Sequence, residues 1–101
     1  MILTITITHE LIAEGEKGSC LVCPMALAAI NAVIGTHFMF VGAFADKLRL
    51  QDMSKPGIYE IDLWYPEEGA TFVREFDNEW EVQPISITLD TDTGIPVSTN
   101  S

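Results

Sequence analysis

The chain has 101 residues, of which fifteen are Asp or Glu and five are Lys or Arg, for a formal net charge of −10. That length gives room for one domain, and 48% hydrophobic residues exclude disorder over most of it. The charge repels phosphate backbones and excludes a conventional nucleic-acid binder, and two cysteines are too few for a disulfide scaffold.

Residues 1–8 alternate apolar residues with Thr and carry no basic start, so no signal peptide is expected. Leu3, Ile5 and Ile7 share one face and Thr4, Thr6 and Thr8 the other, the period of a half-buried strand. Thr8 is placed to cap a short helix with Glu10 in its first turn and Leu11 and Ile12 turned inward; Gly15 and Gly18 end it.

Pro24 suits the first position of a second helix, which runs through Met25-Ala-Leu-Ala-Ala-Ile-Asn-Ala-Val-Ile34 to Gly35. Asn31 is its one polar residue, so the helix is expected to be central and covered on nearly every face, Leu27, Ile30 and Ile34 included. No charged side chain falls between Lys17 and Asp46, but Cys23-Pro24, Asn31 and Gly35-Thr36-His37 interrupt that run. A helix followed by a strand accounts for it, so no membrane span and a cytoplasmic location are expected.

Two strands follow, Phe38–Val41 and about Phe44–Leu50, with Gly42 near the bend. Tyr59, Ile61, Leu63 and Tyr65 alternate with Glu60, Asp62 and Trp64 in another strand. Pro66 is expected to open a third helix as Pro24 opens the second, with Phe72, Val73 and Phe76 as its apolar stripe. After Pro84, Ile85, Ile87 and Leu89 alternate with Ser86, Thr88 and Asp90 in a last strand. The expected fold is a single α+β domain over residues 1–90, in the order β-α-α-β-β-β-α-β, followed by a flexible tail over 91–101. Its sheet is mainly antiparallel, with four to five strands and two to three helices packed on it.

Residues 9–15 read His-Glu-Leu-Ile-Ala-Glu-Gly, and residues 20–28 read Cys-Leu-Val-Cys-Pro-Met-Ala-Leu-Ala. Val73-Arg-Glu-Phe-Asp77 and Val82-Gln-Pro-Ile-Ser86 stand further on. This resembles small proteins of bacteriophages and bacteria that share a His-Ile-x-x-Gly segment, a Cys-Pro-[Ile/Val]-Ala-Leu-Ala helix and a late Phe-Asp…Pro motif. Met25 replaces the β-branched residue, and Leu11 stands in the place of Ile. The resemblance implies a phage or bacterial setting and carries over no activity and no site.

Cys20 and Cys23 have CxxC spacing ahead of a helix, where the dipole favours a thiolate, Cys23 most directly. A thioredoxin-like use needs a parallel βαβ context that this order lacks. With His9 and His37 the two cysteines offer a Cys2His2 zinc set. His37 stands at the far end of the second helix, about 15–20 Å from them, which leaves Cys20, Cys23 and His9 as the metal candidates. The expectation is two buried, metal-free thiols. No calcium loop, phosphate loop or hydrolase motif is present.

The charge layout is more informative. Residues 1–59 hold five acids and four bases, whereas 60–92 hold ten acids and Arg74 alone as a base. Glu75, Asp77, Glu79 and Glu81 cluster around the end of the third helix, where the dipole disfavours them. The expected function is a non-enzymatic interaction module, such as a phage-encoded nucleic-acid mimic of the anti-CRISPR kind. Glu67, Glu68, Glu75, Asp77, Glu79 and Glu81 would meet a partner protein's basic surface, with Trp64 or Trp80 as apolar anchor. A solvated acidic face that keeps a small protein in solution explains the same residues. A metal- or thiol-redox-binding domain using Cys20 and Cys23 is the alternative, and a homodimer is left open.

Overall fold

A computed structural model describes residues 1–19 and 21–95. The strands are β1 (Ile2–Ile7), β2 (Phe38–Ala43), β3 (Lys47–Asp52), β4 (Glu60–Trp64) and β5 (Ile85–Asp90). The helices are α1 (His9–Glu14), α2 (Pro24–Val33) and α3 (Glu67–Asp77). The chain is α+β in the order β-α-α-β-β-β-α-β. Its strands form two antiparallel sheets, β1-β5 and β2-β3-β4.

Strict alternation in β1 buries Leu3, Ile5 and Ile7 against the Ile87 and Leu89 side of β5, with Ile5 opposite Ile87. In the second sheet Leu48, Leu50 and Leu63 point the same way. α2 packs on both β1 and β2 and closes the core between the sheets. Its buried face is Met25, Ala26, Ala28, Ala29 and Val33, and the small alanines let the helix lie close to the strands. Thr8 Oγ1 accepts from Leu11 N at 3.3 Å, so the expected cap on α1 forms. Gly15 is required by proximity, since a Cβ there would stand 2.4 Å from Pro24 Cδ.

Four local expectations change. Leu27 is half-buried, while Ile30 is 39% and Ile34 74% exposed, so α2 carries one uncovered apolar stripe beside Asn31. A helix apolar all round still has only two sheets to lie against, and its outward quarter faces solvent. Gly42 lies inside β2 beside a bulge at Val41, and the bend is Phe44–Asp46, closed by Phe44 N donating to Lys47 O at 2.8 Å. β3 accordingly begins at Lys47 rather than Phe44. Pro66 is the residue before α3, not its first, and supplies no side-chain cap.

The start of the expected tail is tied down. Thr91 N donates to Met1 O at 2.9 Å, Gly94 N to Asp90 O at 2.8 Å, and Trp64 N to Gly94 O at 2.9 Å. This turn links the two sheets at the β4–β5 junction. Gly94 has φ +71, and a Cβ there would lie 2.6 Å from Asp62 O, so glycine alone fits. Residues 96–101 of the expected tail lie outside the described residues. No helix among the described residues is long and apolar enough to cross a membrane.

A candidate acidic groove between α3 and β5

α3 leaves β4 through Tyr65-Pro66 and packs on the core with Gly69, Phe72 and Val73. Gly69 sits over Ile87 of β5, where even a methyl group would come within 3.2 Å of the Ile87 Cδ1 atom. That contact fixes one side of α3 against the sheet. The neighbouring side, carrying Glu67, Glu68, Thr71 and Glu75, turns towards the edge of β5, because residues three, four and seven apart share a helix face.

Between α3 and β5 lies an open groove of about 720 Å³. One wall is the glutamate face of α3, and the other is the run Ile85-Ser86-Ile87-Thr88. Val82 and Ile85 supply apolar surface over the buried Phe72, and Glu81 with Gln83 stands at the end where the chain returns into β5. A second cleft, of about 680 Å³, shares Glu81 and Val82 with the first and is lined by Ile12, Phe76, Glu79 and Trp80. Trp80 is 61% exposed there.

Four of the six acids singled out in the sequence, Glu67, Glu68, Glu75 and Glu81, therefore line one groove. None of them meets a basic group within ion-pair distance among the described residues. The other two serve the fold. Asp77 Oδ1 accepts from Gly18 N at 3.0 Å, and Glu79 pairs with Lys17, together holding the loop after α1 to the end of α3. The Lys17 ammonium keeps the Glu79 carboxyl below its usual range. Glu79 also takes a left-handed backbone (φ 63), which turns the chain out of α3.

Trp64 belongs elsewhere. It lines neither cleft; it stands on the outer face of β4, with Lys47 Nζ 5.0 Å from its ring centre. On the same face Arg49 Nε donates to Asp62 Oδ1 at 2.8 Å and Lys47 lies 3.3 Å from Asp62 Oδ2, which holds the Asp62 carboxyl low. Lys55 lies 4.1 Å over the Tyr59 ring, and Arg74 reaches Thr71 Oγ1 at 3.5 Å. All five basic side chains thus have partners within the chain. Of the acids left without an ion pair among the described residues, Glu67, Glu68, Glu75 and Glu81 share the groove, and Glu10, Glu14, Glu16, Asp46 and Glu60 stand outside it.

Of the thiol and metal candidates, Cys20 lies outside the described residues. Cys23 is buried at the N-cap of α2, where its Sγ accepts from Ala26 N at 3.4 Å. Burial pushes its thiol up, opposed by the amides of the first turn. The packing of Phe72, Val73 and Phe76 around it outweighs the helix dipole that the sequence suggested would favour the thiolate. His9 is exposed at the start of α1, beside Thr6, Pro84 and Ser86. His37 Nε2 faces Asp52 Oδ1 at 3.7 Å. No group of three or more His, Cys, Asp or Glu is gathered as for a metal ion among the described residues, which exclude Cys20.

The β5 edge is the part of the site that sequence reasoning missed. Alternation gives a strand's faces, but which edge stays unpaired depends on the tertiary arrangement. Comparison with protein-family models, with curated proteins and with solved structures finds no match for the chain.

Proposed function

We propose that the protein is a non-enzymatic interaction module whose groove between α3 and β5 receives a basic segment of a partner protein. One observation carries this reading. Glu67, Glu68, Glu75 and Glu81 line a single groove with no ion pair among the described residues, while Lys17, Lys47 and Arg49 are paired with acids outside it. Val82 and Ile85 give the stems of Lys or Arg an apolar surface to lie on, and Trp80 offers an anchor in the neighbouring cleft that shares Glu81 and Val82. In the phage or bacterial setting that the Cys-Pro-x-Ala-Leu-Ala stretch implies, the partner class is a cytoplasmic host protein whose basic surface serves nucleic acid. Inhibition by occupying that surface is then the effect. The thiol and metal alternative has less support, because Cys23 is enclosed and its thiol pushed up.

The test compares two variants of equal charge. One changes Glu67, Glu68, Glu75 and Glu81 to Gln; the other changes Glu10, Glu14, Asp46 and Glu60 to amides. A Lys-rich peptide titrated at low and high salt should bind the second variant as it binds the parent and lose affinity for the first. Equal binding by both means that net charge alone attracts the peptide, and the groove is only a solvated face.

A further inference from the structure

We propose that the groove takes its partner as an added β-strand: an extended cationic segment hydrogen-bonded to the open edge of β5 at Ser86 and Thr88. The inference rests on the groove being the binding site and specifies the form in which the partner is held.

The direction of the β5 backbone carries it. Thr91 N donates to Met1 O, so the pair Met1 and Thr91, one step beyond Ile2 and Asp90 at the end of the β1–β5 ladder, is a hydrogen-bonded one. Antiparallel ladders alternate, so Leu89, Ile87 and Ile85 turn their N–H and C=O groups towards β1, and Asp90, Thr88 and Ser86 turn theirs away. Asp90 confirms this phase. Its N–H donates to Ile95 O at 3.3 Å, and its C=O accepts from Gly94 N at 2.8 Å, both on the side away from β1. One step further along the same side, the N–H and C=O of Ser86 and Thr88 have no backbone partner among the described residues. They face the groove, whose wall is the continuous run Ile85–Thr88. An unpaired strand edge is a template for another strand.

The occupant follows from charge and size. The 94–95 turn fills the edge at Asp90, so an added strand has about five residues of edge, from Pro84 to Thr88, or about 16 Å. Alternate side chains of such a strand point towards α3. Lys or Arg at those positions would lay its stem on the partly exposed Val82 and Ile85 and its head against Glu67, Glu68 and Glu75. A second copy of this chain is disfavoured, because edge-to-edge pairing of two β5 strands would bring two sets of groove glutamates together.

The probe is an acetylated, amidated hexapeptide alternating Lys and Thr, at millimolar concentration, with amide hydrogen exchange read by NMR on the full chain. In the free protein, Ser86 and Thr88 amides should exchange fast and Ile85, Ile87 and Leu89 slowly. Peptide should slow Ser86 and Thr88 by about tenfold or more. N-methylation of the peptide's alternate amides should abolish this in one phase and preserve it in the other. Binding with Ser86 and Thr88 still exchanging freely, or insensitive to N-methylation, overturns the added strand and leaves the acidic groove standing. Failure of this peptide and of a helix-forming one of equal charge to bind overturns the groove reading itself. Concentration-dependent protection of the two amides without peptide assigns the edge to a second copy, and the proposal falls.

Discussion

Glu75→Gln is expected to stabilise the protein, whereas the same change at Glu67 or Glu68 is expected to weaken it. Glu67 and Glu68 stand in the first turn of α3, next to unsatisfied amides that Pro66 cannot cap. Each carboxylate there contributes roughly 0.3–1 kcal/mol through the helix dipole. Glu75 lies in the last turn and takes the opposite sign, partly offset by Arg74 beside it. Mutual repulsion is smaller. Glu68 and Glu75 are seven residues apart along the helix, about 10 Å, where two charges in water interact by roughly 0.4 kcal/mol before salt screens them. The dipole therefore decides the sign. Half a kcal/mol moves the melting temperature of a domain this size by about 2–4 °C, upward for Glu75→Gln and downward for Glu67→Gln. Neutralising all four groove glutamates then nearly cancels in stability, to within about 1 kcal/mol. Binding has no such cancellation. Four exposed ion pairs together contribute about 2 kcal/mol, so the quadruple variant should bind a cationic peptide roughly 30-fold more weakly. Thermal unfolding of the single variants and peptide titration of the quadruple one measure the two halves. A lower melting temperature for Glu75→Gln would show that this carboxylate has a partner inside the fold, and the claim of an unengaged acidic wall would be refuted.

Four further outcomes are expected. Gly94→Ala should cost about 2–3 kcal/mol, since it forces a side chain onto a left-handed backbone against Asp62 O and endangers the Trp64–Gly94 bond; a drop of about 10 °C or more in calorimetry checks it. Tyr65→Phe should be neutral or stabilising by about 1 kcal/mol, because the Tyr65 hydroxyl is buried without a hydrogen-bond partner among the described residues, and a clear loss in denaturant unfolding refutes this. In a Cys20→Ser background, Cys23 should react with a thiol reagent only as fast as the protein opens, given its burial and its raised pKa; rapid native-state labelling would restore the redox reading. The Asp62 carboxyl is depressed by Arg49, so its contribution is present above its unfolded pKa of about 4 and lost as pH falls through the lower folded value. Asp62→Asn should flatten the acid limb of a stability–pH profile, and an unchanged limb would mean that the pair contributes nothing.

Periodicity made the strands and the first cap legible. Thr8 caps α1, and the alternation at Leu3, Ile5, Ile7, Ile87 and Leu89 is the alternation of burial. It could not say how many sides of α2 find a neighbour, since apolar residues mark what can be buried and not what is. The expectation for Ile30 and Ile34 failed for that reason. The same limit applied to charge. A run of Glu75, Asp77, Glu79 and Glu81 looks uniform along the chain, yet the end of α3 sends Asp77 and Glu79 towards Gly18 and Lys17 and leaves Glu75 and Glu81 facing the groove. Trp64 and Trp80 flank the same helix in sequence, but the outward phase of β4 carries Trp64 under Lys47, out of both clefts.

The distribution of partners, more than the net charge, separates a binding surface from a merely solvated one. Three of the five bases close on acids outside the groove, and four of the unpaired acids share its walls. Here Lys47 and Arg49 both close on Asp62, on the outer face of the three-stranded sheet, and Lys17 closes on Glu79. No base of the chain comes within ion-pair distance of the groove glutamates among the described residues, and Arg74 reaches the margin of the groove only at the Thr71 hydroxyl. Its second wall offers the open side of β5, and the neighbouring edge position at Asp90 is already filled by the 94–95 turn of the chain itself. That turn is a short built-in instance of the contact proposed for the partner. The chain thus caps the part of the β5 edge that joins the two sheets, and among the described residues nothing pairs with the part beside the glutamates of α3.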